Sequence, residues 1–191
     1  MKKITTQLTL VLSLLSVNVL AAENYTLEPS LSTINFATIK NQYVVEPAMI
    51  DTLSGKVHDN GSFNLSVDLK GLSTGISIRD SRVNELFFNS LKFPEIKIDG
   101  QFNLDKIKNG PIKTTVPTNV TFYGTTKLIN FPVIIVPTEN YLTINSYTPI
   151  IIDSADFGIP ENNLTALAET VGGIKISNKV PLNINLTFKK Q

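Results

Sequence analysis

"SFNLSVDLK" (62–70) alternates without interruption: Phe63, Leu65, Val67 and Leu69 fall on one side of an extended chain, and Asn64, Ser66, Asp68 and Lys70 on the other. Successive strand side chains point to opposite faces, so such a run has one dry face and one wet face. The pattern recurs. "EIKIDGQFNL" (95–104) groups Ile96, Ile98, Phe102 and Leu104, and "VPLNINLTF" (180–188) groups Val180, Leu182, Ile184, Leu186 and Phe188. Half-dry strands build an antiparallel sheet over one core, whereas a parallel sheet buried on both faces reads as unbroken apolar runs.

The same reading extended along the chain predicts strands near 24–28, 32–39, 50–58, 62–70, 95–104, 112–123, 126–136, 140–151 and 180–188. "HDNGS" (58–62) and "KNGP" (108–111) read as turns, the Asn-Gly pairs tolerating the positive φ of a tight hairpin. Pro132, Pro137, Pro149 and Pro181 cannot donate to a ladder and are expected at edges, bulges or strand ends. Alternation alone leaves two architectures open, a closed barrel and a two-layered sandwich. Closure removes exposed edges, and about eight strands leave room for packed side chains or one slim ligand.

Two segments break the alternation. In "IRDSRVNELFF" (78–88), Val83, Leu86 and Phe87 share a helical face, and Asp80 or Ser81 can cap the first turn. In "ENNLTALAETV" (161–171), Leu164, Leu167, Ala168 and Val171 share another, with Gly172 and Gly173 as the stop. Two short helices, each with one apolar stripe, suit a plug better than a layer of their own.

The first 22 of the 191 residues read as a leader: Lys2 and Lys3, the apolar run "LTLVLSLLSVNVL" (8–20), then "VLAA" (19–22) with cleavage after Ala21 or Ala22. The expectation is a periplasmic protein, residues 23–191 forming one domain with no stable membrane insertion. Losing Lys2 and Lys3 lowers Lys plus Arg from 17 to 15 against 16 acidic residues, a net charge of −1. That balance offers no basic footprint for nucleic acid. With no cysteine, disulfides, thiolate metal sites and thiol catalysis are excluded.

Chemistry-bearing patterns are sparse. The single histidine, His58, adjoins a hairpin turn and reads as solvated. No metal-ligand spacing, nucleophile elbow or phosphate-cradling glycine loop is present, so no metal, cofactor or catalytic residue is expected. Asp51, Asp59 and Asp68 fall on wet faces and turns. Asp153 and Asp156 flank a dipeptide and are a weak signal for acid–base work.

Five blocks carry a resemblance to a known family: "YTLEPSLSTINFATIK" (25–40), "LSGKV" (53–57), "LKGLSTGISIRDSRVNELFFNSLKFPEIKI" (69–98), "VTFYGTTKLINFPV" (120–133) and "PIIIDSADFGI" (149–159). Together they resemble the YceI-like proteins, exported bacterial proteins that bind polyisoprenoids or other long-chain lipophilic molecules. The chain departs from the family pattern in lacking a histidine after Phe36 and in having Ser154 where arginine is frequent. The resemblance implies an all-β fold, an extended antiparallel eight-stranded lipocalin-like barrel with one or two short helices. It also implies a periplasmic binding or carrier protein rather than an enzyme.

The expected cavity lining is Phe36, Phe63, Leu65, Val67, Ile96, Ile98, Phe102, Val120 and Phe122, with Phe87 and Phe88 closing the interior. Burying a lipid tail there would gain about 0.8 kcal/mol per methylene. Arg79 and Arg82, the chain's only arginines, are candidates for a head-group contact. Alternatively they are structural, Arg79 pairing with Asp80 or Asp156 or with carbonyls at the helix entrance. A homodimer is left open. The rival readings are a β-sandwich adhesion or assembly module with a filled core, and an enzyme on a lipophilic substrate using Asp153 or Asp156.

Overall fold

The structure, a computed structural model, describes residues 24–191; the expected leader lies outside them. In chain order the strands are β1 (Tyr25–Leu27), β2 (Thr33–Lys40), β3 (Val44–Ile50), β4 (Leu53–Val57), β5 (Ser62–Asp68), β6 (Leu72–Ser73), β7 (Glu95–Gln101), β8 (Ile112–Phe122), β9 (Thr125–Pro137), β10 (Tyr141–Ser146), β11 (Ile150–Asp153) and β12 (Lys179–Lys190). Helix α1 (Ser77–Arg82) runs into a π turn at Val83–Phe87, and α2 is Glu161–Glu169.

Pairing is antiparallel throughout and closes on itself as a barrel of 8 strands, because β12 ladders with β1 as well as with β10. Four of the barrel strands are each bent into two pieces. β1 and β2 both pair with β12, β3 and β4 pair with β2 and β1, and β6 and β5 pair with β3 and β4. β10 and β11 likewise share β12 as a neighbour. The topology is therefore an up-and-down meander, which leaves no sandwich with a filled core.

The expected strand 50–58 divides at Asp51–Thr52, and the preceding Val44–Met49 is also strand. That piece was illegible because "VVEPAM" does not alternate and contains Pro47. The expected strand 140–151 is likewise split, into β10 and β11. Prolines lie inside β3, β8, β9 and β12, not only at strand ends. Each sits just past the end of one neighbour's ladder. Pro47 lies beyond the β3–β6 pairs, Pro117 beyond β7–β8, Pro132 beyond β9–β10 and Pro181 beyond β2–β12. At those points the strand is paired on one side only, so a missing N–H costs no ladder bond. Pro137 and Pro149 do mark strand ends.

The two ends of the barrel differ. At one end are the His58–Ser62 hairpin, the start of β1, the end of β12 and a helical turn, Leu104–Ile107, whose Ile107 is buried. Buried Tyr25, Leu27, Ile135 and Leu142 help to close that end. At the other end the strands part: α1 and the π turn are inserted between β6 and β7, α2 between β11 and β12, and the two packs meet. The β8–β9 hairpin also lies here and turns on Tyr123 and Gly124, both at positive φ, as a tight two-residue hairpin requires.

Candidate functional site

Inside the barrel runs an almost wholly apolar tunnel of two lobes, about 50 Å³ toward the hairpin end and about 170 Å³ beneath the helices. Ile34, Val67, Ile98, Phe131 and Ile184 line both, so the lobes abut at a waist. An apolar cavity of about 150 Å³ is large enough to hold a benzene ring, so the wider lobe accepts a ring or a short run of methylenes.

All the residues expected to line the interior face this tunnel. Phe63, Leu65 and Phe102 line the smaller lobe, Val67 and Ile98 the waist, and Phe36, Phe87, Phe88, Ile96, Val120 and Phe122 the larger lobe. Their placement follows from register: Leu65 opposes Ile98 and Val67 opposes Ile96, so inward positions of neighbouring strands stack in layers. Phe63 has room to lie across the strand beside it because that strand carries Gly100. A Cβ there would sit 2.6 Å from the Phe63 ring and 3.1 Å from the Pro117 carbonyl oxygen.

Sequence reasoning missed the wall from β9, where Phe131 and Val133 face inward. The run "FPVIIVP" is apolar on both faces, which hides the period. Ile184, Leu186 and Phe188 were legible as one face of β12, and Leu164 and Leu167 as the apolar stripe of α2; all of these line the tunnel.

The helix end is roofed by aromatic rings. Phe88 stands 5.2 Å from Phe87 and 5.5 Å from Phe122, and Phe122 stands 5.5 Å from Phe157, whose side chain is buried below the helices. The π turn positions the pair: Phe88 N–H donates to Val83 O at 2.9 Å, a bond of longer span than in an α-helix, which brings Phe87 and Phe88 both onto the inner side. Asn163 of α2 fastens the roof, its Nδ2 donating to Phe87 O (3.0 Å) and lying 3.3 Å from Tyr123 Oη.

Neither arginine lines the tunnel. Arg79 pairs with Glu46 of β3, not with Asp80 or Asp156: Nη1 is 2.9 Å from Oε2 and Nη2 donates to Oε1 at 3.1 Å. Glu46 also takes Lys40 as a partner. The hydrogen bond from Lys40 leads in holding the Glu46 carboxyl below its ordinary value of 4.5, with the charges of Lys40 and Arg79 adding and burial opposing. Nothing near Arg79 in sequence announces a partner 33 positions away. Arg82 Nη1 donates to Thr170 O at 3.4 Å, tying α1 to the end of α2.

The expected helix cap is also corrected. The helix starts at Ser77, and Asp80 accepts from the N–H (2.9 Å) and hydroxyl (2.6 Å) of Thr74, bracing the loop before it. Ser81 Oγ donates to Ser77 O at 3.1 Å within the helix. Asp153 Oδ1 accepts from Ala155 N–H and Asn178 Nδ2, while Oδ2 lies 3.4 Å from Lys179 Nζ, an arrangement that fixes the turn after β11. Asp156 is exposed. His58 sits at the hairpin, 3.3 Å from Asn64 Nδ2, at the opposite end from the helices. Among the described residues, no cluster of three His, Asp or Glu side chains could hold a metal, and no helix is long and apolar enough to cross a membrane.

Comparison with known proteins places this architecture. A search of curated proteins by sequence finds no match. Among solved structures, a polyisoprenoid-binding domain from Saccharophagus degradans implicated in plant cell wall breakdown superposes with a TM-score of 0.82. It is 22% identical, over 87% of this chain and 98% of that one. BcnA from Burkholderia cenocepacia superposes with a TM-score of 0.63 at 12% identity, over 84% of this chain and 98% of that one. These likenesses concern the barrel. The YceI-like domain family matches residues 25–188, nearly the whole described chain, and the protein belongs to that family.

Proposed function

We propose that the protein binds a long apolar molecule, a polyisoprenoid or another lipid, in its tunnel, and carries it in the periplasm once the leader is removed after Ala21 or Ala22. The observation that carries the reading is the pair of abutting apolar lobes inside a closed barrel, roofed by two short helices at one end. A tail in this tunnel gains about 0.8 kcal/mol for each methylene withdrawn from water, without any polar contact. The polyisoprenoid-binding function named for the S. degradans domain, which shares this barrel, supports the assignment. Binding rather than catalysis is favoured by Asp153, whose carboxylate is engaged in the turn it caps.

Native mass spectrometry of protein purified from its own cells tests the reading. The expected result is an added mass that partitions into organic solvent and is absent from the re-extracted protein. Protein that carries no such mass, and takes up none from a mixture of polyprenols and fatty alcohols, overturns it. The mature mass in the same spectrum tests cleavage after Ala21 or Ala22.

A further inference from the structure

The larger lobe is apolar along its walls and turns polar at one place. There Thr38 from the end of β2, Ser154 from the turn after β11, and Ser177 and Asn178 from the lead into β12 come together. Backbone bonds stitch the three segments: Ser154 N–H donates to Asn178 O at 2.9 Å, and Ser177 N–H to Ile39 O at 2.9 Å. Asn178 is exposed and the other three are half-buried, so this cluster is a rim between tunnel and water.

Every side chain of the rim is uncharged, and directly behind it lies the Asp153–Lys179 ion pair. Asn178 Nδ2 donates to Asp153 Oδ1 at 2.8 Å. Among the described residues, no lysine, arginine or histidine lines either lobe. Of the cations at this end, Lys40 and Arg79 are engaged on Glu46, Lys179 on Asp153 and Arg82 on the Thr170 carbonyl, while the exposed Lys175 lies outside the lining of both lobes. The rim nevertheless has hydrogen-bonding capacity to offer. The Ser154 hydroxyl has no protein partner among the described residues, and the Thr38 hydroxyl makes only a long bond, 3.4 Å, to Glu46 O.

We propose that the tunnel selects long apolar molecules with an uncharged hydrogen-bonding head, such as an alcohol, a carbonyl or an amide, over the same tail ending in a carboxylate or phosphate. The inference rests on the carrier reading and names the class of ligand it takes. An anionic head drawn to the rim loses water and finds no cation in the lining to replace it. A neutral head loses less water and recovers its hydrogen bonds from Ser154, Thr38 and Asn178.

The test is displacement of a bound apolar fluorophore from the purified protein at pH 8, below micelle-forming concentrations, by four ligands with one tail: oleyl alcohol, oleamide, oleate and oleyl phosphate. The alcohol and amide are expected to displace it at concentrations about tenfold or more below the two anions. Anions equal to or better than the neutral ligands overturn the selectivity and leave the carrier reading standing. Failure of all four to displace the fluorophore removes the carrier reading and the selectivity with it. Ser154→Lys, checked for folding by its melting curve, is expected to improve oleate binding about tenfold. Unmoved oleate affinity in that variant overturns the placement of the head at this rim.

Discussion

Glu46 holds two cations at once, Lys40 of β2 and Arg79 of α1, and so joins the barrel wall to the first helix of the roof. The side chains of Arg79 and Glu46 remain 25% and 30% exposed, so solvent screens the pair and its worth is about 1 kcal/mol. Arg79→Ala is therefore expected to lower the melting temperature by roughly 2–4 °C, with affinity for an apolar ligand unchanged within about twofold. Calorimetric melts beside a ligand titration check this, and a larger loss of affinity than of stability would put Arg79 in the binding site. The sign of the pH dependence follows from the lowered pKa. The stabilisation is present above the ordinary value of 4.5 and fades as the pH falls through the depressed native value. Glu46→Gln should cost stability at pH 7 and lose less than the parent on acidification below about 4.5. Melts between pH 7 and pH 3 measure it.

At the scale of elements, the two helices act as a roof because each has one apolar stripe and too few residues to be stable alone. α2 contributes Leu164 and Leu167 to the tunnel, the π turn contributes Phe87, and Asn163 bonds one to the other. The stripes were readable from spacing. The brace was not, because an asparagine near a helix start reads as an ordinary polar residue. Asn163→Ala removes a half-buried hydrogen bond worth about 1 kcal/mol. It should lower the melting temperature by about 2–4 °C and release a bound ligand several-fold faster by stopped-flow transfer to vesicles. Release at the parental rate would show that ligands do not leave past the roof.

Across the whole molecule the interior is two apolar lobes that abut at a waist. Val67 touches both lobes and is only 1% exposed, so a larger side chain there must fill the waist. Val67→Phe is expected to cost about 1–3 kcal/mol of stability through overpacking. It should weaken long tails while sparing those short enough for the larger lobe, an outcome read from a series of fatty alcohols of increasing length. Leu65→Asp puts an unpaired charge on the wall of the smaller lobe and should abolish uptake as well as destabilise the barrel. Unchanged stability and uptake would show that β5 faces the other way.

The sequence by itself determined the strands whose two faces differ, the apolar stripes of both helices, and which residues of β5, β7 and β8 point inward, since these depend only on spacing along an extended or helical chain. The YceI-like resemblance then implied closure, which alternation had left undecided between barrel and sandwich. Tertiary structure alone decided the rest. β3 became legible only once β2 lay beside it, because its pairing, not its pattern, makes it a strand. Arg79 found Glu46, and Thr38, Ser154, Ser177 and Asn178 met at one rim, through contacts between segments far apart in the chain. Such contacts arise from register around a closed ring, and a linear chain carries no local period from which that register can be read.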